Sequence, residues 1–231
     1  MGADSRNVYA ADRWHSLAGV FAACAAICSL HAHSAILLGA DAYHAAMVGG
    51  GDWLRDADLV LLIEVVLFGF ALTHYGVYGF ASWWRRGVAL PASGTFREWM
   101  YTIQGWTGVY LIAYVGHHLV RVWAVVHFEW GGASSGPSPL LDGSIVSLAQ
   151  HVAAIASAGP FAIGFQALGI FALAFHVSHG LWNFGVNWGV TSGPKAMARS
   201  TVACAAVFGV VFVIGMETLA AFVSLGTGGG A

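Results

Sequence analysis

Apolar residues run along this chain in long blocks, not in the alternating or one-sided patterns of a water-facing domain. A helix needs roughly 20 mainly apolar residues to cross the ~30 Å hydrocarbon layer of a bilayer. Five segments satisfy that, at approximately 14–38, 58–84, 97–128, 160–190 and 196–225. The pattern predicts an all-α, polytopic membrane protein, a single domain over residues 1–231 with five transmembrane helices in one bundle. Between the blocks, residues 39–57 carry glycines with Asp41, Asp52 and Asp56, and residues 129–144 carry Gly131, Gly132, Gly136, Pro137 and Pro139. Both stretches read as loops, and residues 145–157 read as a short amphipathic or re-entrant helix before the fourth span. The first block is too long, and too rich in imidazole, for a cleaved leader, so it is expected to be a mature helix.

Composition supports the membrane reading. Hydrophobic residues make up 58% of the 231 and charged residues only 9%, and the mean hydropathy is +0.71. A soluble domain carries about 25% charged residues. The net charge of −2 and the absence of a basic stripe argue against nucleic acid as a partner. Cys24, Cys28 and Cys204 form no disulfide framework, and small residues packing helix against helix are the expected role. Basic residues are one-sided. Arg6, Arg13, Arg85, Arg86, Arg97, Lys195 and Arg199 fall at one set of span ends, leaving Arg55 and Arg121 of the nine for the other. The positive-inside rule then places the N-terminus in the cytoplasm and the C-terminus outside.

Histidine is where chemistry enters. There are 11 in the chain, and an imidazole in lipid is costly without a specific partner. His31 and His33 fall in the first span, His74 in the second, His117 and His118 in the third, and His176 and His179 in the fourth. At about 1.5 Å per residue, His74 and His176 each lie about 24 Å from the outer end of their helices. His31 and His118 lie in the outer half of the two helices that run the other way. Two layers result, each with imidazoles from two helices, the arrangement that ligates a haem iron on both faces. The alternative is that each histidine is a hydrogen-bonded structural residue or lines a proton or metal path.

Several fragments in order resemble a known family. They are His15-Ser16-Leu17-Ala18-Gly19, Thr73-His74-Tyr75-Gly76-Val77-Tyr78-Gly79, and Arg97-Glu98-Trp99-Met100 followed by Gln104-Gly105-Trp106-Thr107-Gly108. Phe175-His176-Val177-Ser178-His179-Gly180-Leu181-Trp182, with Trp188-Gly189 after it, is the most specific stretch. The chain resembles, over nearly its whole length, the five-helix, di-haem cytochrome b anchor of bacterial succinate dehydrogenases and fumarate reductases (complex II).

The resemblance implies two haem b groups, with His74 and His176 on the inner iron and His118 on the outer iron. In the first helix the family's ligand position falls at Ser29 or Leu30, so a small insertion would bring His31 into place. His33 is the alternative, turned about 200° from His31. By the same resemblance His15 and Ser16 contact haem propionates, although Ser16 also reads as a helix N-cap. Arg121 either pairs with an outer propionate or snorkels to the interface. Glu64, flanked by apolar residues, either handles protons at a quinone site or is an interfacial acid. Some fumarate reductases of the family carry a glutamate two residues before the fourth-helix ligand, where this chain has Ala174, which tilts the expectation towards succinate oxidation.

No cysteine cluster for an iron–sulfur centre and no dinucleotide fingerprint occur, so succinate chemistry is expected on other subunits. The resemblance implies an iron–sulfur subunit and a flavoprotein subunit on the cytoplasmic face of the inner membrane, and a quinone, menaquinone by family, as substrate. Two rival readings remain at this point. One is the cytochrome b subunit of another quinol-linked enzyme, such as a nitrate reductase or hydrogenase. The other is a haem-free anchor or a metal or proton transporter.

Overall fold

A computed structural model of the chain describes residues 3–48, 76–86, 91, 93–123 and 148–228. All regular structure among the described residues is helical. Helix α1 (Ala3–Ser34) runs into a 3₁₀ turn (Ala35–Leu38), and α2 (Ala40–Val48) follows. Next come α3 (Tyr78–Arg86), α4 (Phe96–His118) with a π turn (Leu119–Trp123) at its end, and α5 (Leu148–Ala156). The long helices α6 (Pro160–Asn187) and α7 (Pro194–Gly226) complete the described chain.

Local chemistry explains the boundaries. Thr95 and Glu98 have capping-box spacing at the start of α4. Thr95 Oγ1 accepts from the Glu98 backbone N–H at 3.4 Å, and the Glu98 carboxylate accepts from the Ser93 N–H and hydroxyl at 2.9 and 2.7 Å. Helices α6 and α7 begin on prolines, where a missing N–H costs no helical hydrogen bond. The first loop departs from expectation. Residues 40–48 form a helix, because Ala40, Ala42, Ala45, Ala46 and Met47 are strong helix formers with Asp41 in the favourable first turn. Gly39, at φ 111°, breaks the chain away from the preceding 3₁₀ turn. The expected short helix before the fourth span is α5.

Three helices among the described residues are long and apolar enough to span a membrane: Arg13–Leu38, Pro160–Asn187 and Pro194–Gly226. Their apolar side chains also face outwards, with Phe161 94%, Val202 71% and Val210 59% exposed, as hydrocarbon allows and water does not. The protein is therefore an all-α, polytopic membrane protein. Helix α4 is long enough but more polar, carrying Gln104, Thr107, His117 and His118. Most of the expected second span, with Glu64 and His74, lies outside the described residues.

Internal contacts group the chain into two compact units. The first unit comprises Met1–Ile27, Ile63–Ile112 and Ala172–Val211, and the second Cys28–Leu62, Ala113–Phe171 and Phe212–Ala231. In the first unit, Gly105 of α4 lets the Trp83 indole of α3 lie against the helix backbone; a Cβ there would stand 2.7 Å from the ring. In the second unit the core gathers Ile36, Tyr43, Val122, Leu148, Ile170 and Phe222 among others. Gly169 of α6 there receives the Tyr114 ring of α4, which an added Cβ would overlap.

Gly169→Val should therefore cost about 1–3 kcal/mol through overpacking and lower the melting temperature of the purified protein in detergent. Gly164→Val, on the same helix with nothing within 4 Å of its Cβ position, should leave it unchanged. Equal melting temperatures for the two variants would refute the packing role of Gly169.

Candidate functional site

In the first unit, α6 passes through its most buried stretch around His176. Ala172, Ala174, Phe175, Val177, Ser178 and His179 are all buried. Helix α4 approaches closely here because Gly108 has no side chain. A Cβ on Gly108 would stand 2.9 Å from His176 Cε1, so the imidazole lies across the glycine. Two further α4 residues hold it. Thr107 Oγ1 is 3.1 Å from His176 Nδ1, and Gln104 Nε2 donates to the His176 carbonyl at 3.3 Å.

His179, one turn on, is held differently. Its ring stacks between Phe175 and Trp182, with Tyr101 edge-on at 5.4 Å. The Asn183 side-chain amide lies 3.2 Å from its Nδ1. This is a packed aromatic position with one ring nitrogen given a hydrogen-bond partner.

His15 of α1 packs on α3, with ring centroids 5.0 Å from Tyr78 and its Cε1 3.3 Å from the Cβ position of Gly79. Ser16 is not an N-cap. Helix α1 begins at Ala3, so Ser16 sits well inside it, and its hydroxyl oxygen is buried with no hydrogen-bond partner among the described residues. Arg13 lies over the Trp188 ring at 4.9 Å, a cation–π contact between α1 and the turn that follows α6.

In the second unit, the imidazole brought to His118 is that of His33. Their ring centroids are 5.0 Å apart and the planes are inclined by 56°. The Nδ1–H of His33 donates to the Ser29 carbonyl, one turn back, at 2.8 Å. Its Nε2 is buried with no hydrogen-bond partner among the described residues. Tyr43 of α2 meets the same ring edge-on at 5.8 Å and the Phe222 ring of α7 at 5.1 Å. Tyr43 is fully buried and its hydroxyl has no hydrogen-bond partner among the described residues. Burial pushes this phenol above its usual range, so it keeps its proton.

His31, the residue expected opposite His118, is exposed. Helix phase explains the exchange. Cys24, Ile27, Cys28 and His31 recur at helical spacing, and all four are exposed. Ala18 and Ala25 are buried, and the same face continues through Ser29 to His33. The two cysteines expected as packing residues thus lie on the outward stripe. His117, next to His118, turns away to meet Phe165 at 5.3 Å. Arg121 is exposed, and its carbonyl accepts from His151 Nε2 at 3.1 Å. His74 and Glu64 fall outside the described residues.

The second unit thus brings His33 and His118 together from two helices, and the first tethers His176 to Thr107 of a neighbouring helix. Among the described residues, no group of three or more His, Cys, Asp or Glu side chains could hold a bare metal ion. A haem asks for less, because the porphyrin supplies four nitrogens and the protein only the axial ones. Three features of the chain fit that demand: the unpartnered buried Nε2 of His33, the Gly108 seat beneath His176 and the orphaned Ser16 hydroxyl.

The Tyr43 hydroxyl has no acceptor among the described residues, so Tyr43→Phe should leave thermal stability in detergent unchanged or raise it. Tyr43→Ala should lower stability by about 3–5 kcal/mol by opening a cavity in the core. A clear loss in Tyr43→Phe, read by circular dichroism melting, would mean that the hydroxyl has an acceptor after all.

No protein-family model matches the chain, and no solved structure matches it. The sequence is similar to the succinate dehydrogenase cytochrome b558 subunit of Bacillus subtilis (strain 168), with 25% identity over 185 residues. The match covers 80% of this chain and 82% of that protein. A likeness spread over four-fifths of both chains relates this membrane protein to the succinate dehydrogenase cytochrome b558 family.

Proposed function

We propose that the chain is the membrane anchor and electron-transfer subunit of a succinate:quinone oxidoreductase, with His74 and His176 ligating an inner haem b and His33 and His118 an outer one. The observation that carries this reading is the His33–His118 pair. Its two rings come from different helices, and one presents a buried nitrogen with no hydrogen-bond partner among the described residues. The likeness to a cytochrome b558 subunit over most of both chains supports the assignment to complex II.

On this reading the chain crosses the inner membrane five times with its N-terminus inside. The three described spans are joined by the segment around 58–84 and by α4 with its continuation. An iron–sulfur subunit and a flavoprotein subunit dock on the cytoplasmic side, where most of the arginines and lysines fall. Succinate is oxidised on those subunits, and this chain links them to quinone.

Bound haem supplies a one-electron ferric–ferrous couple. The protein's own contribution is positional. His33 keeps its proton on Nδ1, through the bond to Ser29, and so presents the lone pair of Nε2. Gly108 and Thr107 fix the plane of the His176 ring. The apolar helices exclude water from both places. Ser16 and His15 are proposed to meet propionates of the inner group, Arg121 one of the outer group, and Glu64 to exchange protons with quinone.

The test is a reduced-minus-oxidised spectrum with a pyridine haemochrome count on the purified complex. Two haems per chain are expected in the wild type, one in His33→Ala, one in His74→Ala and two in His31→Ala. Loss of a haem in His31→Ala but not in His33→Ala would return the outer ligand to His31. A haem-free wild type would end the electron-carrier reading. Gly108→Val, which drives a side chain into the His176 ring, should remove one haem and spare the other; retention of both would refute the glycine's role as a seat. Co-purification with a nitrate reductase or hydrogenase partner instead of a succinate-oxidising one would favour another quinol-linked enzyme.

A further inference from the structure

Resting on the ligand reading of His176, we infer that Thr107 is a positioning residue that fixes the tautomer of His176 and lowers the potential of the haem this histidine binds. The hydroxyl of Thr107 has one proton and three neighbours. Oγ1 lies 2.8 Å from the Ile103 carbonyl, 3.1 Å from the Gln104 carbonyl and 3.1 Å from His176 Nδ1. Both carbonyls can only accept, and the shorter contact is the ordinary bond of a helical threonine to the carbonyl one turn back. The proton therefore goes to the backbone, and Oγ1 offers a lone pair to Nδ1.

His176 must then carry its proton on Nδ1, which leaves Nε2 as the basic nitrogen. The opposite tautomer would place a proton on the nitrogen that has to bind iron. Gly108 and Gln104, on the same stretch of α4, hold the ring and carbonyl of His176 in place for this contact. Thr107 is itself buried, so water does not compete with the bond.

An acceptor on Nδ1–H raises the basicity of the ligating nitrogen. A more basic imidazole favours ferric over ferrous iron, so the bond lowers the reduction potential. Removing it should raise that potential. Outer-shell partners of this kind are worth about tenfold or more, and a tenfold change in a one-electron equilibrium is 59 mV.

The experiment is a redox titration of the b haems in the intact, membrane-bound complex carrying Thr107→Val, a close match in shape. One haem should shift upwards by about tenfold in its ferric–ferrous equilibrium, with the other unmoved. Thr107→Ser should restore the wild-type value, because it keeps the acceptor. Thr107→Ala serves as a second variant without the acceptor, should the valine impair assembly, and should shift the same haem in the same direction. Unchanged potentials in Thr107→Val with both haems bound would overturn the inference. A downward shift, or failure of serine to restore the value, would do so as well. His176→Ala separates the two levels of the argument: retention of both haems there would remove the ligand reading itself, whatever Thr107 does.

Discussion

A histidine ring inside an apolar helix bundle has two nitrogens to account for, and the rest of this structure is arranged around that requirement. A buried polar atom left without a partner costs on the order of 1–3 kcal/mol, so each imidazole must be tied, packed or given a ligand. His33 ties one nitrogen to the carbonyl one turn back and leaves the other buried and bare. His176 ties Nδ1 to a neighbouring helix through Thr107. His179 is packed between Phe175 and Trp182 with Asn183 at its Nδ1. The residues that look alike in the sequence are thus separated by their surroundings: His33 and His176 are tied to helix backbone or a neighbouring helix, and His179 is sandwiched between aromatic rings.

Close helix approach makes those surroundings possible. Gly108 under His176 and Gly105 under Trp83 bring α4 against its neighbours in the first unit, and Gly169 under Tyr114 does the same in the second. Lipid gives helices no hydrophobic reason to associate, so small residues that admit a large ring are the main source of packing between spans. The same glycines that hold the helices together set the planes of the rings between them.

Much of this was legible in the sequence, because composition and block length are strong signals in membranes. The first, fourth and fifth spans, the short helix before the fourth and the importance of the Gln104–Gly108 stretch all follow from pattern and resemblance. What escaped was phase. Choosing between His31 and His33 requires knowing which face of α1 is inward, and Cys24, Cys28, Ala18 and Ala25 are all small enough to suit either face. The buried alanines and the exposed cysteines show which face is inward in the structure, yet as letters they are nearly equivalent. Residues 40–48 escaped for another reason: glycines and aspartates around an alanine-rich run read as a loop, although the run itself is helix-forming. Tyr43, which lies on that helix and meets His33, was hidden with it.

The two tethers differ in what evolution can adjust. Ser29 serves His33 through its backbone carbonyl, which every residue but one with a different helix geometry would supply equally, so no side-chain change there alters the bond. Thr107 serves His176 through a side chain, which a single substitution can remove or retain. If both rings ligate haem, the basicity of one axial nitrogen is fixed by the helix and the basicity of the other is set by residue choice. On the proposed reading, an electron carrier matched to the potential of a soluble partner would need one adjustable end, and Thr107 would be a position where such adjustment needs no change in the ligands themselves.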